Sequence, residues 1–177
     1  MHGLVLKELK GYVTAELEDV TWEETLETAG VEPTLYLPVS RYPDEEGMAL
    51  IESAAELSSL SREELLESFG RELAPALLKT FGAHVKDDWD ALDVLGHLDE
   101  QIGGVLVAED DEGTALESAR WNEETAVVLY RSSLRLDPLV RGVVDGIAEE
   151  RGEPVAIRQD GSLAEGDDEC ELTISIA

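Results

Sequence analysis

The side chains able to bind a metal or act as nucleophiles are few in this chain. Three histidines (His2, His84 and His97) and one cysteine (Cys170) make up the whole imidazole and thiol inventory of 177 residues. A single cysteine excludes an intrachain disulfide and any multi-cysteine zinc or iron–sulfur site. Cys170 has no helix N-terminus or basic neighbour to lower its pKa, and it reads as a half-buried strand residue. The acidic runs Asp44-Glu45-Glu46, Glu109–Glu112 and Glu165–Glu169 read as solvated faces and loops, not as paired carboxylates for acid–base work. No glycine-rich phosphate loop is present. No enzymatic constellation emerges, and the sequence points away from an enzyme.

Charge narrows the partners. Asp and Glu number 41 against 13 Lys and Arg, a formal net charge of −28, spread along the whole length. Such a surface lacks the basic footprint that phosphate contacts need, so nucleic acid is excluded as a partner. Lysine is scarce (Lys7, Lys10, Lys79 and Lys86), which fits a surface adapted to high intracellular salt, where screening relieves self-repulsion. No apolar run approaches the roughly 18–20 residues that cross a bilayer, so membrane insertion is not expected. The N-terminus runs straight into Lys7, Glu8 and Lys10 without an apolar signal region, so a cytoplasmic protein is expected.

The elements that would position these residues change type along the chain. Leu4, Val5, Leu9, Val13 and Leu17 recur at helical spacing. Thr21 with Glu24, and Ser61 with Glu64, have the form of capping boxes, and Gly30 is a helix stop. Asp44 is placed to cap a helix reaching Leu57. The helix opened by Ser61 is expected to end near Gly70, with further helices over 71–80 and 87–106. The last third alternates with period two. Strands are expected over 115–121 and 125–132, and a second pair over 154–159 and 169–176. Between the pairs Asp137-Pro138 reads as an N-cap with proline at the first helical position, opening a helix closed by Gly152. Helices followed by antiparallel strands define an α+β fold. One domain over 1–177 is expected.

This order, with its local sequences, resembles the H-NOX (haem–nitric oxide/oxygen binding, HNOB) family along essentially the whole chain. Met1-His2-Gly3-Leu4-Val5 is similar to the family's start, and Trp22 to Gly30 to its second helix. Tyr42-Pro43-Asp44 with Leu50-Ile51 and Ala54-Ala55, then Leu65-Leu66-Glu67-Ser68-Phe69-Gly70, resemble the next two segments. Leu98-Asp99 stands where the family has a Leu-Asp pair before its iron-binding histidine. Tyr130-Arg131-Ser132 opens the Tyr-x-Ser-x-Arg signature, and Gly142 follows at the expected distance.

The resemblance implies a fold with a helical N-terminal part and a C-terminal four-stranded antiparallel sheet with a packed helix, and a haem held between them. It implies a gas sensor without catalytic activity that signals to a separate protein, such as a histidine kinase, a cyclase or a chemotaxis transducer. Imidazole suits iron, and hydroxyls with a guanidinium fork suit propionates. By resemblance Tyr130, Ser132 and Arg135 form the propionate motif, while Val5, Leu9, Leu139 and Val143 line an apolar pocket that favours nitric oxide over oxygen.

Three departures stand out. The histidine slot, three residues beyond Asp99, holds Ile102, which cannot ligate iron. The arginine slot holds Leu134, and Arg135 comes one residue late; it recovers the role only through a bulge or if the strand has ended. No proline lies between the expected helix over 87–106 and the first strand. His97, five steps of about 100° from Ile102 on a helix, would face elsewhere. Two readings stay open: haem-dependent nitric oxide sensing, or a haem-free domain that binds another apolar molecule or acts through protein contact alone.

Overall fold

The computed structural model describes residues 1–106 and 113–177; the acidic run Glu109–Glu112 lies outside the described residues. Helix α1 (Gly3–Glu16) starts on His2, whose Nδ1 accepts the Leu4 N–H at 3.2 Å. Both expected capping boxes are present. Thr21 and Glu24 open α2 (Trp22–Ala29), and Ser61 and Glu64 open α4 (Arg62–Phe81). Gly30 stops α2 in the left-handed conformation, φ 67°. Helix α3 (Asp44–Ser58) begins on Pro43. Asp44 is therefore a first-turn residue and not the cap, and its carboxylate pairs with the Met1 amine.

Two helix boundaries differ from the sequence expectation, for the same reason. Helix α4 passes through Gly70 without a break and absorbs the helix expected over 71–80. Gly70 is a point of close approach: a Cβ there would lie 2.8 Å from the Gly142 Cα of α7 (Asp137–Arg151). The long helix expected over 87–106 is instead α5 (Ala91–Leu95) and α6 (Leu98–Leu106). It breaks at Gly96, where a Cβ would press 2.6 Å from the backbone nitrogen of Arg120. In both places tertiary contact, not chain stiffness, explains the glycine.

The strands β1 (Ala115–Asn122), β2 (Thr125–Arg131), β3 (Val155–Asp160) and β4 (Cys170–Ile176) form one antiparallel sheet in the order β1-β2-β4-β3. Helices α5 and α7 pack on the face carrying Ala126, Val128, Tyr130, Leu172 and Ile174, all buried. Helix α7 starts on Leu136, so Asp137 is its first residue and not its cap; Gly152 closes it. Cys170 is buried, and burial pushes its thiol up to about 12, which leaves it an unreactive core group.

Among the described residues, no helix is long and apolar enough to cross a membrane.

Candidate functional site

Ile102 lies on α6 with 3% of its surface exposed. It belongs to the same continuous buried cluster as Val5 and Leu9 of α1, Tyr130 of β2, and Leu139 and Val143 of α7. That cluster is the main core of the chain and runs from Met1 to Ile174. Helices α4 and α7 come close enough that a Cβ on Gly146 would meet the Ala74 Cβ at 2.7 Å.

Tyr130, near the end of β2, and Ser132, just past it, are both buried, and their side chains interact. The Tyr130 hydroxyl is fully buried and donates to the Leu106 carbonyl at the end of α6, at 3.0 Å. Burial raises its pKa, so the phenol stays protonated. Ser132 is buried where the strand has ended, and its Oγ accepts the Leu134 N–H at 3.1 Å, a local turn bond. Arg135 follows in the left-handed region, φ 53°, with its side chain exposed. Ser132 and Arg135 line one surface cleft of about 410 Å³ together with Ser133, Leu163 and Asp167; Tyr130 does not reach it.

His97 and His2 are occupied elsewhere. The His97 ring stacks on Trp89, centroids 4.5 Å apart, and its Nδ1 lies 2.8 Å from the Asp93 carbonyl. Because it falls at the break between α5 and α6, its direction relative to Ile102 is set by that turn and not by a helical rotation of five residues. His2 caps α1 and meets Phe81 edge-on; burial first, and Arg41 second, lower its pKa. His84 ends the short 3-10 turn Gly82–His84. Among the described residues, no group of three or more His, Cys, Asp or Glu side chains is placed to hold a metal ion.

One residue that sequence reasoning passed over ties the two halves together. Arg62, at the start of α4, donates from Nη1 to the Arg135 carbonyl and from Nη2 to the Leu134 carbonyl, each at 2.9 Å, and from Nε to Glu52 at 2.6 Å. Its two carbonyl partners lie more than seventy positions away, so no local signal in the sequence marks this role.

A haem held as the resemblance implies needs an axial ligand, donors for two carboxylates, and room. Ile102 offers no lone pair. Tyr130 spends its hydroxyl on Leu106. Four clefts of about 270 to 590 Å³ lie at the surface, and none of them is lined by Val5, Leu9, Ile102, Leu139 or Val143. Enclosed pockets for drug-sized ligands run about 300–1,000 Å³, and a porphyrin needs no less. The described residues do not fit a haem held in that way.

A family model described as haem-NO-binding (HNOB) matches residues 2–159. The chain belongs to the haem-NO-binding (HNOB) family, a family of haem-binding gas sensors. Its fold is the H-NOX fold. An H-NOX protein from S. oneidensis, solved in the Fe(II)NO ligation state, superposes with a TM-score of 0.83 at 19% identity, covering 100% of this chain and 99% of that one. The H-NOX domain from Shewanella oneidensis in the Fe(II)CO state gives 0.80 at 19% identity, with the same coverage. A mutant of the T. tengcongensis H-NOX gives 0.77 at 17%, covering 99% and 97%. No curated protein matches the chain.

Proposed function

We propose that this chain is a non-catalytic H-NOX module that works by contact with a separate signalling protein, a histidine kinase, a cyclase or a chemotaxis transducer, as the family resemblance implies. In this reading the space between its halves is filled by its own side chains. The observation that carries it is Ile102: it stands at the position resembling the iron ligand and is buried in one core with Val5, Leu9, Tyr130, Leu139 and Val143. The two halves are joined there by protein groups, through Tyr130 to Leu106 and Arg62 to the turn at Leu134–Arg135. A module built this way transmits through a protein–protein face and needs no porphyrin.

A second reading, haem-dependent nitric oxide sensing, is favoured by family membership and by Ser132 and Arg135 lining one cleft, a hydroxyl and a guanidinium of the kind a carboxylate needs. In it the apolar residues Val5, Leu9, Leu139 and Val143 would line the gas site and favour nitric oxide over oxygen.

One experiment separates the two. The purified protein is incubated with haem, desalted, and its absorption spectrum recorded before and after nitric oxide. The first reading expects no Soret band beyond that of free haem. A retained Soret band that shifts with nitric oxide would establish the second and overturn the first.

A further inference from the structure

The sheet has one covered face and one open face. On the covered face the residues are buried; on the other, β2 presents Thr125, Val127, Leu129 and Arg131, all half-exposed, flanked by Thr173 of β4. An antiparallel sheet packed on the core by one face leaves the other to solvent, and this open face is where a partner has access. Its most exposed large side chain is Trp121, 76% exposed. The β1–β2 register shifts between Arg120 and Asn122, so Trp121 is the extra residue of a bulge, a device that re-aims a side chain. The re-aimed indole walls a shallow groove of about 270 Å³ with Thr125, Val127, Thr173 and Glu171.

Charge on this face is unbalanced in one direction. Arg131 is neutralised by Glu117 at 3.1 Å and Glu169 at 3.4 Å, and Arg158 lies 3.8 Å from Asp160. Glu171 in the groove, and Glu123 and Glu124 at the adjoining hairpin, have no ion-pair partner among the described residues. The face is therefore an apolar centre with an acidic margin whose own cations are already spent. A second copy of the chain is a poor match, since it would set Glu171 against Glu171 and bring together two bodies of net charge −28.

We infer that the open sheet face around Trp121 docks an amphipathic helix of a partner protein, one whose apolar stripe is flanked by Lys or Arg. An aliphatic side chain of that stripe sits on Trp121 and Val127, while a flanking cation reaches Glu171. Exposed tryptophans are favoured anchors at interfaces. Four strands about 4.8 Å apart and seven residues long give a face of roughly 400 Å², which suits a transient signalling contact and falls short of an obligate dimer. The inference rests on the partner reading above and names where that partner sits and what chemistry it carries.

The test uses the whole chain, at the lowest salt at which circular dichroism shows it folded. Two synthetic 18-residue helical peptides serve as probes: one with a leucine stripe flanked by lysine, the other with serine replacing each leucine. Calorimetry on the native chain should give binding to the leucine peptide at least tenfold tighter than to the serine peptide. Trp121→Ser/Val127→Thr keeps the net charge and should remove that preference. Glu171→Gln, a milder change that keeps the groove's shape, should weaken the leucine peptide several-fold. Equal affinity of both peptides for the native chain, or a leucine preference that survives the double variant, would overturn the site. So would sedimentation as a dimer that the double variant dissolves, since the occupant would then be a second copy. Loss of the site in this way leaves the haem-free reading standing, because its spectrum is read independently.

Discussion

Two of the joins between elements of this molecule are built on opposite principles. Between α4 and α7 the backbones themselves touch: Gly70, Gly142 and Gly146 remove the Cβ atoms, and Ala74 supplies only a methyl. Between α6 and the sheet, large side chains fill the gap. Ile102, Val105 and Leu106 of α6 and Leu116 of β1 are all buried, and the Tyr130 hydroxyl reaches the Leu106 carbonyl. The first join has no slack, because anything added must push a helix. The second is set by side-chain size, so a change of residues alone can widen or close it. A fold shared with proteins solved in Fe(II)NO and Fe(II)CO states can therefore keep one join fixed while the other is packed with protein.

That contrast is most easily broken at Gly142. A Cβ there would fall inside the contact distance of the Glu67 carbonyl oxygen and lie 3.0 Å from the Gly70 Cα. Neither is the end of a flexible side chain, so relief requires the helices to separate. Gly142→Ala should cost about 3 kcal/mol, the upper part of the overpacking range, read as a lowered urea midpoint. A midpoint within error of the parent would mean that α4 and α7 can part freely and that the first join is no tighter than the second.

The second join should yield less. Tyr130→Phe removes one hydroxyl, leaves the ring in place, and strips the Leu106 carbonyl of its donor. The cost should be about 1–2 kcal/mol, that of a lost hydrogen bond with a buried group left unpaired. Amide exchange should quicken at the end of α6 and stay unchanged in α7. If exchange quickens equally in both, the two joins are not independent.

How far the sequence showed these joins follows from where their signals lie. Capping boxes at Thr21–Glu24 and Ser61–Glu64, the Gly30 and Gly152 stops, and the alternation through Cys170–Ile176 are local, and each appears in the structure where the chain places it. The misread boundaries at Gly70 and Gly96 involve the same residue type, but there glycine answers to a neighbour distant in sequence, α7 in one case and Arg120 in the other. A single sequence does not distinguish a glycine that ends a helix from one that admits a partner. The order of motifs brought Ile102, Tyr130 and Ser132 forward as site residues. Ser132's bond to the Leu134 N–H and Arg135's positive φ are local turn features that the strand alternation does not spell out, while Arg62's grip on two remote carbonyls depends on three-dimensional contact.

The smallest expected effect lies at Asp137. Its side chain is buried at the first turn of α7, and its Oδ1 has no hydrogen-bond partner. Burial raises its pKa, while the backbone N–H groups of Asp137 and Leu163 and the charges of Arg62 and Arg135 pull it down; burial prevails. The groups facing it from β2 and β4, Tyr130 and Cys170, are themselves held neutral chiefly by burial, and its negative charge adds to this. A carboxyl whose folded pKa lies above its unfolded value contributes stability that is fully present below the unfolded pKa and is lost as pH rises through the folded one. Asp137→Asn keeps the shape and removes the titration. The stability of the parent minus that of the variant should therefore fall as pH rises from roughly 4, the ordinary aspartate value, towards neutrality. Taking the difference cancels the large background from the other acidic residues, which both proteins share. A difference that stays flat across that range, or rises with pH, would mean that the Arg62 and Arg135 charges outweigh burial and hold Asp137 ionised within the fold.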